Sequence, residues 1–118
     1  MPVTMNLEQR KETWVLSLCG ELDYGECSGF RLQIDRILKG SPPAAVIDLS
    51  KLDYLDSSGL GLLLSLSREY STAGGRIALV TNKTVDSILE ITRLNGIFSV
   101  FGTLDQALAF VRTPDVPA

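Results

Sequence analysis

The chain has 118 residues, of which 45% are hydrophobic and 21% charged, with a net charge of −3, two cysteines and no histidine. A chain of this length can bury roughly two thirds of its unfolded surface, so one domain with its own core is expected, without disulfides or a structural metal. The missing histidine excludes the usual general base of Ser/His/Asp and Cys/His sites, the commonest zinc ligand and phosphohistidine chemistry. A mildly acidic balance without basic clusters argues against direct nucleic-acid binding.

Met5 to Arg10 and Thr13 to Cys19 read as two strands joined at a Lys11-Glu12 turn, an antiparallel pair if the turn is that short. After Gly20-Glu21-Leu22-Asp23 the spacing becomes helical, with Cys27, Phe30, Ile34, Ile37 and Leu38 on one face until Gly40-Ser41-Pro42-Pro43 stops it. Ala44 to Leu49 is a short apolar run suited to a buried strand. A helix is predicted from Ser57 to about Thr72, ended by Ala73-Gly74-Gly75, and its leucines at 60, 62, 63, 64 and 66 surround it closely enough to require extensive burial. Arg76 to Val80 reads as a strand. Val85, Ile88 and Leu89 mark a helix stopped near Asn95-Gly96, Ile97 to Phe101 a strand, and Leu104, Ala107, Leu108 and Val111 a last helix. Thr113 to Ala118, with two prolines, reads as a frayed tail.

The order β-β-α-β-α-β-α-β-α implies an α/β domain whose central sheet is mostly parallel, opens with one antiparallel pair and has helices packed on it. One domain is expected over residues 1–118, with its core at about 5–112. Cys19 and Cys27 are too few for a disulfide framework and lack metal spacing, so both are expected as small buried hydrophobes, with a redox role as the alternative. Charges at Glu8, Arg10, Lys11 and Glu12 and the brevity of the most apolar stretch, Gly59 to Leu66, point to a cytoplasmic protein without membrane insertion.

The informative segment runs from the strand at Val46-Ile47-Asp48-Leu49-Ser50, through a loop rich in carboxylates and hydroxyls, into Asp56-Ser57-Ser58-Gly59-Leu60-Gly61 at the start of the second helix. Asp56 or Ser57 is a natural N-cap. Gly59 and Gly61 each cost a helix roughly 1 kcal/mol against alanine, so either tight packing on the sheet or access for another molecule keeps them there. A helix start at the end of a strand is where open α/β sheets present sites. No Gly-x-Ser-x-Gly elbow surrounds Ser58 and no Gly-rich phosphate loop with lysine is present, so no catalytic residue, cofactor or metal is assigned. Arg68, Glu69 and Lys83 are expected on solvated helix faces.

The Asp56-Ser57-Ser58-Gly59-Leu60-Gly61 stretch, the strand before it, the upstream Gly20-Glu21-Leu22-Asp23 turn and the Gly74-Gly75 turn together resemble the anti-sigma factor antagonists, whose fold is the STAS domain. The resemblance covers about Met5 to Arg112. It implies phosphorylation of Ser58 by an anti-sigma factor that is also a serine kinase, with Ser57 as a cap or hydrogen-bonding neighbour. Asp23 matches an acidic residue beside the phosphorylation site, and it is equally suited to capping the first helix. Asp23, Asp56, Ser57, Gly59 and Gly61 are thus expected to flank Ser58 and meet the partner. Tyr24-Gly25-Glu26-Cys27 departs from the Thr or Ser that opens this helix in relatives. The implied cycle is a partner switch. The unmodified protein binds the anti-sigma factor and frees the sigma factor, phosphorylated Ser58 prevents binding, and a metal-dependent serine/threonine phosphatase resets it. An accessory STAS subunit of an ABC-type transport system and a stressosome-type scaffold are the alternatives. Sequence sets no oligomeric state.

Overall fold

Alternating half-buried and exposed residues make β1 (Thr4–Arg10) an edge strand with one face on the core and one in water. The computed structural model describes residues 3–112. β1 pairs antiparallel with β2 (Thr13–Leu22), setting Leu7 opposite Leu16 and Met5 opposite Leu18. The two residues between them place Lys11 at φ 54°, a left-handed conformation that tight hairpins use.

A 3₁₀ turn over Tyr24–Glu26 leads into α1 (Cys27–Gly40), which buries Cys27, Phe30, Ile34 and Ile37. β3 (Ala44–Leu55) is followed by α2 (Ser57–Ala73), ended by Gly74 at φ 79°. Then come β4 (Arg76–Val80), α3 (Lys83–Ile91), β5 (Val100–Phe101) and α4 (Leu104–Arg112). The sheet order is β1-β2-β3-β4-β5, and every pair after the first is parallel. The predicted element order and sheet type are those observed.

The larger core cluster joins Leu16, Leu18 and Ile47 of the sheet to Phe30, Ile34, Leu63, Leu66, Val85 and Leu89, so α1, α2 and α3 share one face. On the other face Ala107, Leu108 and Val111 of α4 pack on Val15, Val46, Ala78 and Val80. Arg76 stacks 4.4 Å over the Phe110 ring and its Nε donates to the Phe110 carbonyl at 3.0 Å, tying α4 to β4.

Four boundaries differ from expectation, at the ends of β2, β3 and α3 and at the start of β5. β3 continues through Leu55, where a loop is expected after Ser50, because Leu52 and Leu55 are buried and β2 also runs on, pairing Gly20 with Leu52 and Leu22 with Leu55. Register shifts in the β2–β3 pairing break the simple alternation that marks strands in sequence. Beyond the end of β4, Asn82 takes over, its Nδ2 donating to the Ser50 and Leu52 carbonyls at 3.0 and 2.9 Å while its Oδ1 caps α3 through the Val85 N–H. α3 ends at Ile91, short of Asn95, where Arg93 turns to φ 60°. β5 keeps only Val100 and Phe101 of the five residues expected.

Cys19 corrects the reading of both cysteines as buried. Cys27 is buried and Cys19 is exposed, because Cys19 shares the α4 face of β2 with Ser17 and lies outside the cluster that α4 covers. The expected tail, 113–118, lies outside the described residues.

Candidate functional site

β2 and β3 end side by side, Leu22 paired with Leu55, and the Asp56 N–H donates to the Leu22 carbonyl at 2.9 Å. This bond brings the turn after β2 against the turn after β3, as expected of loops leaving one end of a parallel sheet. Each turn is organised by an aspartate. Asp23 Oδ1 accepts from the Glu26 N–H at 3.1 Å and caps the 3₁₀ turn, while Asp56 Oδ1 accepts from the Ser58 N–H at 2.9 Å and caps α2. Asp56, not Ser57, is therefore the N-cap. α1 itself starts without a side-chain cap at Glu26, so the Asp23-capped turn supplies the entry that a Thr or Ser would otherwise give.

Ser57 is exposed and Ser58 half-buried. Among the described residues the Ser58 hydroxyl has no hydrogen-bond partner, which leaves its lone pairs free for chemistry. The two glycines that follow have different reasons to be glycine. A Cβ at Gly59 would lie 2.8 Å from Leu55 Cδ1 and 2.9 Å from Leu22 Cδ2, so Gly59 lets α2 pack on the strand ends. A Cβ at Gly61 would meet nothing within 4 Å, and the residue is exposed.

Beside Ser58 lies an open groove of about 430 Å³, lined by Tyr24, Cys27, Ser28, Arg31, Ser58 and Leu62 together with Gly25. Tyr24 is 77% exposed, an aromatic ring held at the rim with little of its own surface buried. The Cys27 thiol donates to the Asp23 carbonyl at 3.3 Å. Burial pushes its pKa up, the Asp56 and Asp23 carboxylates push it further, and the Arg31 guanidinium opposes them. Both aspartates and the arginine thus act on one thiol in the groove that Ser58 lines.

The structure gathers Asp23, Asp56, Ser57, Ser58, Gly59 and Gly61 at one end of the sheet. Arg68, Glu69 and Lys83 are exposed, and none of them lines the groove. Arg31 escapes a reading by motif, and Tyr24 and Leu62, noted in sequence only as a departure at the helix opening and as a core leucine, are placed in the groove by the structure. The available signal is spacing: Arg31 lies four residues after Cys27 and Leu62 four after Ser58, each pair on one helix face. Among the described residues, no group of three or more His, Cys, Asp or Glu could hold a metal ion, and no helix is long and apolar enough to cross a membrane.

A mixed five-stranded sheet with an acid-capped, serine-bearing helix start defines a STAS domain, and the chain belongs to that family, whose match spans residues 4–107. Among its relatives, the anti-sigma F factor antagonist of Lysinibacillus sphaericus is 33% identical over 104 residues, which is 86% of this chain and 88% of the relative. The crystal structure of an anti-sigma factor antagonist from Mycobacterium paratuberculosis has a TM-score of 0.86 at 30% identity and covers 94% of this chain and 95% of its own. The Bacillus cell fate determinant SpoIIAA in its phosphorylated form has a TM-score of 0.71 at 28% identity, covering 92% of this chain and all of that one. Its unphosphorylated form gives 0.73 at 27% identity, with 94% and 100% covered.

Proposed function

We propose that this chain is an anti-sigma factor antagonist switched by phosphorylation of Ser58. Unmodified, it binds an anti-sigma factor that is also a serine kinase and thereby releases the sigma factor. Phosphorylated, it does not bind, and a metal-dependent serine/threonine phosphatase restores it. The switch operates in the cytoplasm and needs no catalytic residue, cofactor or metal of this chain. The observation that carries this reading is the unpartnered Ser58 hydroxyl on the wall of an open groove where two aspartate-capped turns meet. The existence of phosphorylated and unphosphorylated forms of the relative SpoIIAA supports it.

In the transfer the Ser58 Oγ attacks the γ-phosphorus of the kinase's ATP, its proton passes to a base of the kinase, the bond to the β–γ bridging oxygen breaks, and ADP leaves. The product carries about −1.5 to −2 charges at Ser58. That charge sits beside the Asp56 carboxylate and must be desolvated when a partner closes over the groove. Each ~1.4 kcal/mol of such penalty weakens binding tenfold, so ~4 kcal/mol changes affinity about a thousandfold. No rearrangement of the fold is required.

Incubation of the protein with the anti-sigma factor and MgATP, followed by intact mass measurement, tests the assignment. One phosphate is expected on the wild type and none on Ser58→Ala. A phosphate that persists on Ser58→Ala refutes the acceptor, and co-purification with a transporter ATPase instead of a kinase turns the reading to the accessory-subunit alternative.

A further inference from the structure

A phosphate on Ser58 meets a shortage of positive charge, a problem that rests on the reading of Ser58 as the acceptor. The first turn of α2 would ordinarily stabilise an anion through its free N–H groups, but the Ser58 N–H is already bonded to Asp56 Oδ1 and the positive end of the helix is matched by that carboxylate. Asp23 and Glu26 of the 3₁₀ turn add two more carboxylates nearby. The cation in the groove lining is Arg31.

Arg31 stands on the opposite wall from Ser58. α1 presents Cys27, Ser28 and Arg31 on one face, three and four residues apart, while α2 presents Ser58 and Leu62. Arg31 is exposed and has no hydrogen-bond or salt-bridge partner among the described residues, so its guanidinium can swing to any anion in the groove. Its field already reaches the centre of the site, where it opposes the two aspartates at the Cys27 thiol. A guanidinium is the side chain best matched to a phosphate, because two of its N–H groups can engage two phosphate oxygens in parallel.

The geometry points to Arg31 as the internal ligand of phosphoserine 58: in the modified protein the guanidinium and the phosphate pair across the groove. The pair fills from within the space that a partner would otherwise enter. Phosphorylation then acts twice, by adding charge and by removing the groove.

The test uses the full chain with phosphoserine installed at position 58 by recoded translation, and reads the second ionisation of the phosphate by ³¹P NMR against pH. The titratable and charged groups lining the groove or acting at its Cys27 are Tyr24 of the 3₁₀ turn and Asp23 that caps it, Cys27 and Arg31 of α1, and Asp56 at the start of α2. Arg31→Gln is expected to raise the midpoint by ~0.5 pH unit or more, the scale of an exposed charge pair. Arg36→Gln removes the same charge from an exposed position on α1 outside the groove lining, and it is expected to leave the midpoint at the wild-type value. A wild-type midpoint in Arg31→Gln, or an equal shift in Arg36→Gln, overturns the assignment. Because the phosphate is installed without a kinase, this failure would leave the Ser58 switch standing. Conversely, a Ser58 that no kinase modifies would leave the titration unaffected.

Discussion

Gly61 is where stability and binding should pull in opposite directions. Glycine in an exposed helix interior costs about 1 kcal/mol relative to alanine, and at this position an added methyl meets no atom within 4 Å. Gly61→Ala should therefore stabilise the fold by ~0.5–1 kcal/mol, with no steric penalty to offset the gain. With a urea slope of ~1–3 kcal/mol/M, the unfolding midpoint should rise by roughly 0.2–1 M. Gly59→Ala gains the same propensity but presses its Cβ against Leu55 and Leu22 at 2.8 and 2.9 Å, both fully or almost fully buried. Overpacking of that kind costs about 1–3 kcal/mol, so the net change should be a loss of up to ~2 kcal/mol. Urea melts of the two variants beside wild type decide the matter. A destabilised Gly61→Ala would show that Gly61 serves an internal contact and would remove the argument that its open space admits a partner. If the partner does approach there, Gly61→Ala should bind it more weakly although it is the more stable protein.

The other expectations concern the caps, the alkaline limb of stability and the acceptor itself. Asp56→Ala should lose ~1 kcal/mol in urea melts, since the Ser58 N–H loses its acceptor, while Asp56→Asn should recover most of it. Tyr70 is buried, donates to the Pro42 carbonyl at 2.9 Å, and has its pKa raised by burial to about 12 from an ordinary 10.0. The folded state holds the phenol proton more tightly than the unfolded chain does, so its contribution is complete below about pH 10 and is lost as the pH rises towards about 12. Tyr70→Phe should flatten that part of a stability–pH curve, and an unchanged slope would refute the attribution. Ser58→Asp should weaken binding to the anti-sigma factor in calorimetry while its circular dichroism stays native; equal affinity would argue against charge as the signal.

The architecture was legible because its apolar spacing switches cleanly between periods. Cys27, Phe30, Ile34 and Ile37 mark one face of α1, and the run Ala44 to Leu49, interrupted only by Asp48, marks a strand covered on both faces. Legibility failed where a strand was held by its neighbour instead of by its own pattern. Ser50 to Tyr54 looks like a loop, yet it is paired with the end of β2 and tied down by Asn82, both distant in sequence. The exposure of Cys19 is not legible for a related reason: its burial depends on whether α4 reaches that part of the sheet, and spacing within β2 carries no such information. At the site, the Asp56 cap and the helix start that carries Ser58 are legible because both are local. Arg31 is not legible, and Tyr24 stands out only as a departure from the usual helix opening, because the groove forms only when the start of α1 comes to lie against the start of α2.

The affinity of the unmodified and Ser58-phosphorylated protein for the anti-sigma factor, measured by calorimetry on the same preparation before and after modification, tests the central claim most directly. Tight binding before and a loss of tenfold or more after, equivalent to at least ~1.4 kcal/mol, is expected. Equal affinity of the two forms would contradict the switch.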